Sequence, residues 1–410
     1  NHMRSTPLIA AAAMLVLAAC SEREAPVADE AADEARANVN ALLEDWDTPF
    51  GVPPFDRVAS EDYLPALRAG MADQEDEIDA IASNPDAPTF ENTIEALERS
   101  GATLDRVNRV FSSVNSANTD DVLTETAKVF APEQAAHRDN IYLNRTLFDR
   151  VAVVYEQREA FVGEKLRLLE ETHKQFVRSG ANLGDADQAR LREINAELAQ
   201  LSQQFRENLL NETNDFELLV IDRADLGDLP ASLVVLAAEE AKRRGHDCAE
   251  CWVFTLQRPS INPFLQYSPN RELRKKIFDG YAMRGDNDNE SDNKDIIKRT
   301  VQLRAERAAL MGYDSHAHFV LSNNMAEEPA NAYDLMRKVW VPALERAKAE
   351  RADLQAMMDA DGIDDRIRGW DWRYYTEKVR KARYDIDEDT LRPYFEVNAV
   401  RDGVFGLATE

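Results

Sequence analysis

The chain has 410 residues, with 76 aspartates and glutamates against 49 lysines and arginines, a formal net charge of −27. A chain of this length is expected to fold as two or three packed units rather than around one small core. A field of that sign repels phosphate backbones and anionic lipid surfaces, which excludes nucleic acid as an expected partner and leaves a solvated acidic surface as the plain reading.

In chain order, Asn1 and His2 precede Met3 and read as an addition or an upstream extension. Arg4, the apolar run from Pro7 to Ala19 and then Cys20 have the charge, core and small-residue boundary of a secretory leader. The run is shorter than the roughly 20 apolar residues that a spanning helix needs. Leu17-Ala18-Ala19-Cys20 resembles the bacterial lipoprotein cleavage box, so residues 1–20 are the expected leader and Cys20 the expected lipid-attachment residue. Such a protein would sit in the bacterial cell envelope, facing the periplasm, touching the membrane only through its anchor; several acyl chains would be needed, since one binds marginally. Residues 21–40, rich in Ala, Glu and Asp, read as a disordered tether.

Helical periodicity dominates the rest of the chain. Pro88-Thr89 opens a predicted helix with Ile94, Leu97, Leu104, Val107, Phe111 and Val114 on one face and Gly101 tolerated inside at a cost of about 1 kcal/mol. Further helices are predicted over 122–130 and 147–155. Val162, Leu166, Leu169, His173, Phe176 and Val177 form one apolar stripe, and Leu191, Ile194, Leu198, Leu201, Phe205 and Leu209 a second. Arg178-Ser179-Gly180 stops the first, and Asp185 with Gln188 restarts the second, which gives a long helical hairpin over 161–210. His173, inside its stripe, reads as a hydrogen-bonded core histidine. Helices are also predicted over 233–243, 271–281, 295–310 and 332–358, and a last one begins at Asp402. Strand signals are confined to 216–221 and 252–256. The fold class is mainly α, multi-helix, with a small β element.

The candidate metal chemistry is sparse. Gly312 ends one helix and Asp314 is placed to cap the next, over 315–325, where His316 and His318 would stand about 200° apart and could not grip one ion. His246, Cys248 and Cys251 supply three soft donors where a closed zinc site wants four. In an oxidising compartment Cys248 and Cys251 read as a local disulfide or as two idle thiols. The sequence holds no H-E-x-x-H, no phosphate-cradling glycine loop and no G-x-S-x-G. No catalytic residue and no metal ligand is therefore assigned in this chain.

Longer stretches carry a resemblance. WDTPFGVPPF (46–55), GMADQEDEIDAIASNPDAPTFENTIEALERSG (70–101), FTLQRPSINPFLQYSPNRELRKKIFDGYAMRG (254–285), LRAERAALMGYDSHAHFVLSNNMA (303–326) and WDWRYYTEKVRKARYDIDEDTLRPYFEVNAVRDGVFGLA (370–408) resemble the thimet oligopeptidase family, and most of all its bacterial peptidyl-dipeptidases. The resemblance implies a mostly helical zinc metallopeptidase whose two halves close on a channel for short peptides, with dipeptides released from the C-terminus. Zinc would serve there to polarise the amide carbonyl and activate water. It also implies that about the N-terminal three-fifths of such an enzyme is present: a helical domain over 41–250, then the start of the catalytic half over 251–410, ending before the zinc motif. On that expectation these 410 residues bind no zinc, are inactive alone and act as a monomer. The alternative is a non-catalytic helical lipoprotein that binds peptides, with Trp370, Trp372, Tyr374, Tyr375 and Tyr384 beside Lys378, Arg380, Lys381 and Arg383 to meet a peptide carboxylate. The plain reading of the same aromatics is core between helices.

Overall fold

The structure is a computed structural model that describes residues 40–227, 229–248, 250–384 and 391–410. The expected leader, Cys20 and the tether up to residue 39 lie outside the described residues. Helices α1 (Tyr63–Ala82), α2 (Ala96–Arg99, entered through a π-turn at Phe90–Glu95), α3 (Ala102–Ala117) and α4 (Asp121–Tyr142) make the first layer. Apolar side chains at steps of three and four bring Ala66 and Leu67 of α1, Leu104 and Val107 of α3, and Leu123 and Phe130 of α4 into one core. Each fully buried Leu or Phe contributes about 1.5–3 kcal/mol. At Gly70 the backbones of α1 and α3 touch, for a Cβ there would lie 2.8 Å from the Leu104 Cα. Gly101 corrects the sequence reading. It sits between α2 and α3 at φ 76°, with its N–H donated to Glu77 Oε2 at 2.7 Å, so it breaks the predicted helix instead of being carried inside it.

Helices α5 (Arg145–Glu156) and α6 (Gly163–Arg178) close a second core, where Ile78 and Ile81 meet Leu147, Val151, Leu169 and Phe176. Helix α7 (Asp185–Asp215) follows the turn that Gly180 makes at φ 100°. Both helices of the predicted hairpin exist, but α6 lies against α5, while α7 runs along α4 and α11 (Lys294–Leu310). The arms part because each apolar stripe is spent on another partner; Ile194 and Leu198 bury against Leu303 of α11. The restart also differs by one residue, since Gly184 occupies the N-cap and its carbonyl accepts from the Gln188 N–H.

Strands β1 (Leu218–Val220) and β2 (Trp252–Phe254) pair antiparallel with Leu218 opposite Phe254, at both predicted places but shorter. Helices α8 (Ala231–Arg243), α9 (Arg258–Tyr267) and α10 (Arg271–Ala282) cover this ribbon and bury Phe254, Phe264 and Ile277 completely. Helix α14 (Gly369–Tyr384) then docks on α9 and α10. Its Asp371 is fully buried and accepts from Arg271 Nη2 at 2.8 Å and from Arg274 Nη2 at 3.0 Å.

Three more helices complete the described chain: α12 (His316–Leu321), α13 (Pro329–Ala360) and α15 (Val397–Thr409). The end of α13 packs on α14 through Leu354, Met358 and Tyr375. Its first half exposes Leu335, Val339, Trp340 and Val341. Helix α15 begins five residues before the predicted start at Asp402, because Glu396 Oε2 accepts from the Ala399 N–H and caps it. It exposes Val404, Phe405 and Leu407. Among the described residues no helix is long and apolar enough to cross a membrane.

Candidate functional site

The histidine pair lies on α12, as the sequence reading required. Ser315, not Asp314, is the N-cap: its Oγ accepts from the His318 N–H and lies 2.9 Å from His318 Nδ1. His316 turns inward, and burial, with Arg307 and Arg304 nearby, pushes its pKa down. His173 faces the second core, stacked on Tyr155 at 3.8 Å between centroids; burial and then Arg158 hold its pKa down. Its packing partner is a ring rather than the expected hydrogen bond. Cys248 and Cys251 form a disulfide, and His246 Nε2 lies 3.1 Å from Glu217 Oε2. Zinc finds no matching donors here: among the described residues no group of three or more His, Cys, Asp or Glu side chains could hold a metal ion. No catalytic step follows from these side chains.

The aromatic and basic run of α14 proves to be packing in the main. Tyr375 is fully buried, and burial, then Asp361, pushes its pKa up. The Trp370 ring lies against Phe278 and beneath Lys275. Lys378 pairs with Asp361 at 2.5 Å, Arg380 with Glu377 at 2.6 Å and Arg383 with Asp353 at 2.7 Å. Three of the four cations expected to meet a peptide carboxylate, Lys378, Arg380 and Arg383, thus already hold carboxylates of the chain. Trp372 and Tyr384 remain exposed.

The fold builds a feature that the sequence reading missed. Helix α4 floors an open trench, α3 and α7 wall it, and α6 closes one end. Two clefts of about 960 and 940 Å³ make it up, and they meet at Ala131, Gln134 and Arg206. The floor helix has 22 residues, a length of about 33 Å at 1.5 Å per residue, which matches an extended segment of about ten residues. Lys128 Nζ reaches from the floor to Glu207 on the α7 wall at 2.6 Å, and that bond raises the lysine pKa. His137, buried in the floor, has Nε2 2.8 Å from Gln74 Oε1. The lining offers amides, hydroxyls and charges of both signs, which suits it to hold a peptide backbone but supplies no activated nucleophile. The one local signal was His137 and Asp139, two apart on α4 and both buried; the walls come from distant helices.

Comparison with known sequences gives the class that this chain is similar to: residues 264–410 match the model of Peptidase family M3. Its particular relatives are peptidases along most of its length. It is 38% identical over 375 residues to Dipeptidyl carboxypeptidase of Escherichia coli (strain K12), covering 91% of this chain and 55% of that protein. Identity to Dipeptidyl carboxypeptidase of Salmonella typhimurium is 36% over 376 residues, with the same coverage of 91% and 55%. Oligopeptidase A of Haemophilus influenzae is 29% identical over 367 residues, 87% of this chain and 53% of that protein. The chain spans about half the length of the curated relatives it matches.

Proposed function

We propose that the chain forms the N-terminal part of a zinc-dependent peptidyl-dipeptidase or oligopeptidase that hydrolyses short peptides and releases dipeptides from their C-termini. The observation that carries this reading is the 38% identity to a Dipeptidyl carboxypeptidase sustained over 91% of the chain. Two structural features support it. The trench on α4 has the length and polarity to hold an extended peptide, and the apolar faces of α13 and α15 offer a surface for the remainder of such an enzyme. These 410 residues contain no H-E-x-x-H, so zinc chemistry is assigned to the longer protein and not to any residue here. The test is dipeptide release from short peptides, followed by mass spectrometry, with metal-stripped protein before and after zinc is restored. A longer form carrying H-E-x-x-H is expected to release dipeptides in a chelator-sensitive way, and these 410 residues to release none. Chelator-resistant cleavage by the longer form, or cleavage by the 410-residue chain, contradicts the reading.

We further propose that Cys20 carries the lipid that tethers the enzyme to the cell envelope, on the strength of the Leu17-Ala18-Ala19-Cys20 box. Labelled fatty acid should enter the wild-type protein and be absent from Cys20→Ala; equal labelling of both removes the proposal.

A further inference from the structure

Beside the closed end of the trench, between α4, α6, α7, α11 and α12, lies a smaller pocket of about 390 Å³. Three arginines line it, Arg138 of α4, Arg178 of α6 and Arg307 of α11, and Asp139 is the one carboxylate on its wall. Two of these cations share a ring: Cζ of Arg178 lies 4.7 Å, and Cζ of Arg307 5.6 Å, from the Phe319 centroid. Like charges so close repel, and a chain with 76 acidic side chains has ample means to neutralise them. It does so nearby, where Arg190 pairs with Glu306 at 2.7 Å and Arg299 with Glu197 at 2.5 Å. The three pocket arginines enter no such ion pair among the described residues.

Their remaining contacts leave donors to spare. Arg178 donates to Ser322 Oγ at 2.7 Å and to the Phe319 carbonyl at 2.8 Å. Among the described residues Arg307 has one long bond, 3.5 Å to Asn195 Oδ1, and its buried Nε has no partner. Arg138 lies over the Tyr142 ring. Asp139 accepts from Asn195 Nδ2 at 2.9 and 3.2 Å, and burial raises its pKa. Burial first, then Arg304 and Arg138, push the Arg307 pKa down, against the smaller raising effect of Asp139.

A partly buried set of guanidinium forks with little counter-charge is complementary to a carboxylate or phosphoryl group, which accepts two N–H bonds from each fork. We propose that this pocket binds a small multivalent oxyanion of the carboxylate or phosphoryl class, held by Arg138, Arg178 and Arg307, with Gln175 and Asn323 supplying neutral donors. The proposal is independent of the peptidase reading, because it needs neither zinc nor a peptide. Calorimetric titration of the 410-residue chain with inorganic phosphate and with citrate, at constant ionic strength set by chloride, tests it. At least one probe is expected to bind saturably, and the tighter of the two identifies the phosphoryl or carboxylate preference. Arg138→Gln, at an exposed side chain, should weaken that binding tenfold or more. Asp139→Asn keeps the acceptor for Asn195 while removing the opposing charge, and should tighten it. Absence of saturable binding by both probes, or binding unchanged in both variants, overturns the proposal.

Discussion

Asp371 is a side chain whose loss leaves a buried charge unpaired. It and Arg274 are fully buried, so Asp371→Ala leaves Arg274 as an uncompensated charge. Breaking a buried pair in this way costs about 3–5 kcal/mol, and urea unfolding should show a loss of that size; a change under about 1 kcal/mol contradicts the role given to the pair. Acid sensitivity comes from a different kind of residue. The Arg243 hydrogen bond, with Arg244 adding to it, lowers the Glu240 pKa from 4.5 to about 2. A depressed carboxylate contributes stability that is full above its unfolded pKa and lost as pH falls through the folded one. The melting temperature is therefore expected to drop between pH 4.5 and 2, and Glu240→Gln to flatten the drop; an identical profile in that variant contradicts the assignment. At this scale the sequence showed which residues could not act, since helical geometry alone separates His316 from His318. It did not show that His173 stacks on Tyr155, because that neighbour comes from another helix.

Among the elements, the crossing of α1 and α3 rests on Gly70. A methyl group there meets Leu104 backbone atoms at 2.8 and 2.9 Å, and backbone cannot swing aside as a side chain can. Gly70→Ala is expected to push the helices apart at a cost of about 1–3 kcal/mol, the range for overpacking, with the α-helical circular dichroism retained at room temperature. A variant as stable as the parent refutes the close contact. Helix positions were legible because apolar residues recur at steps of three and four, and both strands because β-branched and aromatic residues cluster there. Three local features misled. Gly101 looked like a tolerated interior glycine until its φ of 76° showed a break. Glu396 starts α15 earlier than the apolar pattern suggested. The stripes of α6 and α7 suggested mutual packing, yet periodicity reports that a face is buried and not what buries it. The trench escaped for the same reason, since α3, α6 and α7 reach it from separate parts of the chain.

For the molecule as a whole, the balance lies between its charge and its bare apolar surface. Leu335, Val339, Trp340 and Val341 on α13 and Val404, Phe405 and Leu407 on α15 are all exposed, and surface of this kind drives association. The net charge of −27 opposes it at low salt, and salt screens that opposition, since the Debye length falls from about 10 Å at 0.1 M to about 3 Å at 1 M. Sedimentation of the 410-residue chain should show self-association that grows with salt and recedes in the double variant Trp340→Glu, Phe405→Glu. A monomer at every salt concentration contradicts it. Fold class and the resemblance to peptidases were legible in long ordered strings of sequence, whereas neither the trench nor the arginine pocket was, since both arise from charges and walls brought together only by folding.

Arg271 and Asp371 stand 100 positions apart yet bond directly, and that fastening works as a buckle. The chain leaves α10, travels through α11, α12 and α13, and returns to the point it left, so the excursion is a flap pinned at its base by this pair and along its course where α11 lies on α7 and α12 on Arg178. Such a flap can change length at its tip, in the turns beside α12, without pulling on the two-stranded ribbon or the helices that cover it.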